Sequence, residues 1–221
     1  HLHGFGFCHH SQPKAVYISE ASELGTVYTI DEVRALADLL HHYNMYLHMD
    51  GARLANACAY LGCTMKELTV DAGVDILSFG GTKNGMMMGE AVVVFRPELL
   101  ENMPYIRKQS AQLASKMRYM AAQYVPYLEN NLWWKNATHA NACARRLADV
   151  LAEFPQIHLT QKVESNQLFF TIPSEPLKKL QENYFFYMWN EETNEARFVT
   201  SWDTTEDDIA SMLQTLDEIF R

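Results

Sequence analysis

Apolar and polar positions alternate along the first hundred residues in short blocks. Residues 15–19 (AVYIS) form a strand-length apolar run. Thr29-Ile-Asp-Glu32 has the S/T-x-x-E pattern, in which hydroxyl and carboxylate satisfy free amides at a helix start. Val33, Leu36, Leu39 and Leu40 follow at helical spacing to about Tyr43. Residues 45–49 (MYLHM) predict a second strand, ending at Asp50-Gly51, and residues 53–61 a helix stopped by Gly62. Thr64-Met-Lys-Glu67 repeats the capping pattern and opens a helix to about Ala72. Residues 74–79 (VDILSF) and 91–95 (AVVVF) predict two further strands. Apolar strands alternating with helices indicate an α/β fold with a mostly parallel sheet covered on both faces.

Pro97 predicts the start of a short helix, and residues 110–128 and 137–154 two long ones. The texture changes after Pro155. Residues 157–163, 167–172, 184–189 and 196–200 predict strands around a helix near 175–183, and residues 204–220 a closing amphipathic helix. The tail is therefore expected to be a small α+β domain. The boundary falls within residues 131–136, giving a large-domain portion over 1–130 and a small domain over 131–221.

Composition narrows the function classes. With 18 basic and 27 acidic side chains the formal charge is −9. That argues against a nucleic-acid partner, because neutralising phosphates needs a basic face. No apolar run approaches the roughly 20 residues needed to span a bilayer, so no membrane association is expected. The four cysteines, Cys8, Cys58, Cys63 and Cys143, form no C-x-x-C pair. A reduced, cytoplasmic setting is the expectation, and no metal site is expected. The Asn136-Ala-Thr138 sequon is read as chance. The sequence opens on His1-Leu2-His3 without a methionine, so a fragment or a processed product is expected.

In open parallel sheets, ligands bind beyond the carboxyl ends of the strands. Two strand ends carry conspicuous polar residues: His48-Met-Asp50-Gly-Ala-Arg53 and Ser78-Phe-Gly80-Gly81-Thr82-Lys83-Asn84-Gly85. A lysine among glycines could belong to a phosphate loop, but the G-x-x-x-x-G-K-[ST] spacing is absent. An aspartate and a lysine on neighbouring strand ends also suit pyridoxal phosphate (PLP). That cofactor needs a lysine amine for its aldehyde and a carboxylate beside its pyridine nitrogen. The plainer alternatives are a turn residue for Asp50, a solvated loop lysine for Lys83 and a first-turn helix residue for Arg53.

The segments Leu47-His-Met-Asp-Gly-Ala-Arg-Leu-Ala-Asn-Ala57 and Val74-Asp-Ile-Leu-Ser-Phe-Gly-Gly-Thr-Lys-Asn-Gly85 resemble the L-threonine aldolase branch (low-specificity type) of the fold-type-I PLP enzymes, within the β-eliminating lyase family. The resemblance extends through Glu23-Leu-Gly-Thr-Val-Tyr28, Arg107-Lys-Gln109, Ser115-Lys-Met-Arg118 and Arg197-Phe-Val-Thr200. It implies a fold-type-I, transferase-like architecture and cleavage of threonine, allo-threonine and related β-hydroxy amino acids to glycine and an aldehyde. It implies PLP as cofactor, with Lys83 as the lysine on its aldehyde, Asp50 on the pyridine nitrogen and Arg53 beside the phenolic oxygen. Arg197 matches the arginine for the substrate carboxylate. Lys108 and Arg118 match a basic pair near the phosphate of a neighbouring subunit. His9 and His10 stand where the family has a histidine near the substrate hydroxyl, and His10 is taken for the site. A homo-oligomer, dimer or tetramer, with sites at subunit interfaces is implied. The family's upstream phosphate turn and stacking histidine have no match in the 49 residues before Asp50, so the sequence is expected to be the C-terminal part of an aldolase. Two alternatives stay open. One is another fold-type-I lyase or transaminase-like enzyme, and the other is an inactive fragment acting only as a folded interaction piece.

Overall fold

Both capping patterns form in the computed structural model, which describes residues 2–220; His1 and Arg221 lie outside them. Thr29 Oγ1 accepts from Glu32 N at 3.2 Å, while Glu32 Oε2 accepts from Thr29 N at 2.7 Å. This starts α1 (Ile30–His42). Thr64 and Glu67 repeat the exchange at the start of α3 (Met65–Leu68). Between them, β2 (Tyr46–Gly51) leads into α2 (Leu54–Leu61). With β1 (Ala15–Ser19), β3 (Ile76–Gly80) and β4 (Glu90–Val94), the first sheet runs in the order β1-β2-β3-β4. The first three strands are parallel and β4 is antiparallel at the edge. The sheet is thus mostly parallel, as the sequence predicts.

Alternation along β2 buries Leu47 and Met49 against Leu40, Leu54 and Leu68, and turns His48 and Asp50 to the other face. That other face departs from expectation. Tyr17 and Val92 lie on it and stay 55% and 60% exposed, so the sheet is fully covered on one face only.

The region after Pro97 also departs from expectation. A short helix, α4 (Met103–Gln109), precedes residue 110, and instead of one long helix over 110–128 there are two short ones, α5 (Arg118–Ala121) and α6 (Tyr124–Leu128). Ala111 and Lys116 take positive φ and break the run. Residues 104–116 are exposed throughout, so no buried face holds a longer helix together. α7 (Leu132–Ala152) then starts five residues earlier than predicted. It serves both halves of the molecule. Trp133 and Trp134 pack on the first core, Asn141 and Asn56 exchange two buried hydrogen bonds at 2.9 Å with α2, and Leu147 and Leu151 enter a second core.

The second core lies under the sheet β5-β6-β8-β7, formed by β5 (His158–Leu159), β6 (Gln167–Thr171), β7 (Tyr187–Asn190) and β8 (Glu195–Val199), all antiparallel. α8 (Ser174–Asn183) and α9 (Glu206–Phe220) cover it through Leu180, Met212 and Leu216. The strand predicted over 157–163 shrinks to two residues. Beyond it the chain turns aside, and Glu164 accepts from Val27 N at 2.9 Å. No helix among the described residues is long and apolar enough to cross a membrane.

At the amino end of β3, far along the strand from Gly80, the buried Asp75 carboxylate locks three strands and α1 together. It accepts from Leu47 N at 2.7 Å and Arg96 Nε at 2.5 Å, and hydrogen-bonds with His41 Nε2 at 2.9 Å. Burial alone would raise its pKa, but the bonds from Arg96, Leu47 and His41 outweigh burial and leave it lowered. A lowered carboxylate contributes stability that is complete above the unfolded value near 3.9 and is lost as pH falls through the folded value. Arg96 and His41 can turn to water, whereas the Leu47 amide cannot. Asp75→Ala is therefore expected to destabilise the fold by about 2–3 kcal/mol. Urea unfolding at neutral pH, repeated near pH 3, checks this: the gap between the two proteins should shrink in acid.

Candidate active site

Parallel register aligns Ser19, Asp50 and Ser78 in one row near the carboxyl ends of β1, β2 and β3. Both Asp50 oxygens are held. Oδ2 accepts from Tyr17 OH at 2.6 Å, and Oδ1 from Ala52 N at 2.9 Å. The bond to Asp50 raises the Tyr17 phenol above its ordinary pKa. Beneath this row His48 Nε2 hydrogen-bonds with Ser78 Oγ at 2.9 Å, and its ring meets Tyr17 edge-on at 5.2 Å.

Lys83 sits on a single 3₁₀ turn, Thr82–Asn84, directly after β3. The glycines before it are required by close approach. A side chain on Gly80 would begin 2.8 Å from Ala52 Cα, and one on Gly81 only 2.0 Å from Met86 Sδ. Gly85 closes the turn with φ +101°, in the left-handed region that favours glycine. The turn is anchored through Asn84. Its Nδ2 donates to Tyr127 OH at 2.8 Å and Trp133 O at 2.9 Å, and its carbonyl accepts from Asn136 Nδ2 at 2.9 Å.

Arg53 precedes α2, and Arg197 lies on β8 in the second sheet. Gln167 Oε1 accepts from Arg197 Nε at 3.0 Å and also from Nη2, and the Phe169 ring centre is 5.9 Å from the guanidinium. These groups sense one another. Burial pushes Arg53 down to about 10, helped by Arg197 and opposed by Asp50. Burial also lowers Lys83, followed by Arg53; Asp50 and Glu90 pull it up, and Arg197 lowers it further. Arg197 is lowered by burial. Three cations thus share one region with Asp50, and Arg53 Nε is buried with no hydrogen-bond partner. Such a group, with one donor unsatisfied, suits an anionic ligand that also offers a donor to the carboxylate.

The family model for beta-eliminating lyases, PLP-dependent enzymes, matches residues 1–173. The chain belongs to the beta-eliminating lyase family. This chain is 45% identical, over 197 residues, to a low-specificity L-threonine aldolase of Pseudomonas aeruginosa, covering 89% of this chain and 57% of that protein. A second Pseudomonas aldolase is 44% identical over 198 residues, with 90% and 57% covered. The chain therefore spans a little over half the length of the curated relatives it matches. A Leishmania major threonine aldolase structure superposes with a TM-score of 0.91 at 29% identity, covering all of this chain and 65% of that one. A glycine decarboxylase structure, at 16% identity and a TM-score of 0.69, shares the fold. The fold is that of the fold-type-I PLP enzymes.

Not every candidate residue joins the cluster. Lys108, near the end of α4, and Arg118, opening α5, are exposed on the helices after β4. The Arg118 guanidinium lies over the Tyr119 ring at 4.8 Å. His10 closes an exposed amino-terminal turn, where its ring meets those of Phe7 and His3; His9 packs on Phe7. Three neighbours of the cluster escaped the sequence reading, Tyr17, Gln167 and Glu20, and so did the anchoring role of Asn84. Glu20 is buried, and burial pushes its carboxyl up to about 8. Its main chain donates to Asp50 O at 2.7 Å and accepts from Arg53 N at 3.2 Å. It therefore frames the turn between these two residues.

Proposed function

We propose that the protein cleaves β-hydroxy amino acids, threonine and allo-threonine among them, to glycine and an aldehyde, with PLP as cofactor. The observation that supports this best is the meeting of Lys83, Arg53 and Arg197 with Asp50 at the strand ends, where Arg53 keeps a buried donor unpaired. The residues fit the cofactor's chemistry: Lys83 for its aldehyde, Asp50 for its ring nitrogen and Arg53 for its phenolic oxygen. When bound, PLP supplies an electrophilic carbon for an amine and a ring that accepts electrons.

The chain's own residues do the rest. Burial and Arg53 favour the neutral amine of Lys83, the form able to attack a carbonyl or take a proton. Tyr17 and Ala52 fix the plane of the Asp50 carboxylate, so it can hold a proton-bearing nitrogen in one orientation. Arg197 binds the substrate carboxylate through its planar fork. Anchoring that end of the amino acid selects which bond at Cα faces the acceptor. His10 is assigned to the β-hydroxyl, and Lys108 and Arg118 to the phosphate of a neighbouring copy in a cytoplasmic dimer or tetramer. These assignments rest on family resemblance.

Product analysis separates cleavage from elimination. Cleavage of threonine releases acetaldehyde and glycine, whereas loss of its β-substituent gives 2-oxobutyrate and ammonia. The intact protein, incubated with PLP and threonine, is expected to give the first pair. The second pair alone would make it an eliminating lyase, and no product at all would favour a non-catalytic piece. Arg197→Lys keeps the charge but loses the two parallel hydrogen bonds, and is expected to raise KM for threonine about tenfold, near 1.4 kcal/mol. Steady-state kinetics with an unchanged KM would reduce Arg197 to a strand residue packed on Phe169.

A further inference from the structure

Helix α2 stops on a left-handed glycine, and the stop brings two cysteines together. Gly62 has φ +70° and ψ +30°. Its amide and that of Cys63 both return to Cys58 O, at 2.9 and 3.2 Å. A return of this kind folds the chain back over the last helical turn. Positions 58 and 63 thereby become neighbours at the end of the helix. Both thiols are free. They differ in access: Cys58 is fully buried, whereas Cys63 is partly exposed. The neighbouring Cys58 lowers the Cys63 thiol, with burial opposing, and Cys63 together with burial raises that of Cys58. The accessible sulfur is thus the more readily ionised one, and the sealed sulfur stays protonated beside it.

We propose that Cys58 and Cys63 are an oxidation site for small hydroperoxides, Cys63 reacting first and Cys58 resolving it into a disulfide. The Cys63 thiolate attacks one peroxide oxygen; an S–O bond forms, the O–O bond breaks, and the departing oxygen takes a proton and leaves as water or an alcohol. Cys58 then attacks the Cys63 sulfur. The S–S bond forms, the S–O bond breaks, and hydroxide leaves as water with the Cys58 proton. Two thiols lose two electrons, and the peroxide is reduced by two. Disulfides need Cα atoms about 4.4–6.8 Å apart, a separation that the tight backbone return favours without unwinding α2. A small peroxide suits the access, since Cys58 is buried and Cys63 only partly exposed. The pair also lies near the site: Cys63 helps raise the Glu20 carboxyl and Glu20 helps raise the Cys58 thiol, and Glu20 frames the Asp50–Arg53 turn.

The test is hydrogen peroxide titration of the intact protein, followed by intact mass and non-reducing peptide mapping. The expected first intramolecular product has lost the mass of two hydrogens, carries a link between Cys58 and Cys63, and reverts with dithiothreitol. Cys58→Ser should leave Cys63 as a sulfenic acid that dimedone traps, and Cys63→Ser should leave Cys58 unlabelled. Absence of the 58–63 link at peroxide levels that oxidise the exposed Cys8 would overturn the proposal. So would direct passage of Cys63 to sulfinic acid in the unsubstituted protein. The mapping of the unsubstituted protein decides the matter even if a serine variant folds poorly.

Discussion

Replacing Lys83 with alanine is expected to reduce aldehyde release from threonine by a factor on the order of 10³ or more, a barrier increase of about 4 kcal/mol. The substitution deletes the amine and little else. The turn that carries Lys83 is fastened by its neighbour, through the bonds of Asn84 to Tyr127, Trp133 and Asn136, so the variant should fold and melt like its parent. Borohydride reduction of the intact protein with PLP should place a pyridoxyl label on Lys83, and the variant should carry none. Because burial and Arg53 lower the Lys83 pKa, its neutral amine appears at lower pH than that of an exposed lysine, near 10.4. Labelling of Lys83 should accordingly rise at lower pH than labelling of surface lysines. A label on another lysine, or full activity in Lys83→Ala, would remove Lys83 from the site.

Asp50 and Lys83 were legible as candidates because each sits at or just past the carboxyl end of a strand. An apolar run fixes where a strand ends, and in a parallel sheet that end is where ligands bind. The capping boxes were legible for a related reason: their bonds close within four residues. Tyr17 and Gln167 were not, since each meets its partner through strand register. Tyr17 is 33 residues from Asp50 and Gln167 is 30 from Arg197, and no local pattern announces such pairs. Asn84 stood inside the glycine-rich motif, yet its anchoring role depends on α6 and α7, more than 40 residues away. The failed helix over 110–128 has the same origin. Helical spacing forms a helix only where an apolar face finds something to pack on, and residues 104–116 are exposed throughout. The early start of α7 reverses that case, with Trp133 and Trp134 packing on the first core.

Asp50→Asn is expected to separate the two functions that meet at the strand ends. Asparagine has nearly the shape of aspartate, and its Oδ1 can still accept from Ala52 N or Tyr17 OH, so local structure should persist. What disappears is the negative charge. A neutral amide no longer favours a protonated ring nitrogen beside it, and electron withdrawal by the ring weakens. The expected result is a fall in kcat for threonine on the order of 10²–10⁴-fold, the range spanned by single proton-positioning groups, while Lys83 still accepts a pyridoxyl label. A second readout follows from charge. Asp50 raises the pKa of both Lys83 and Arg53, so its neutralisation lowers both. The neutral amine of Lys83 is then populated at lower pH, and the pH profile of borohydride labelling should move in the acid direction. A purely structural Asp50 would leave that profile in place whatever happened to kcat. A turn residue at this position would lose stability on substitution and change neither readout, whereas a carboxylate facing Lys83 and the cofactor's nitrogen must change both.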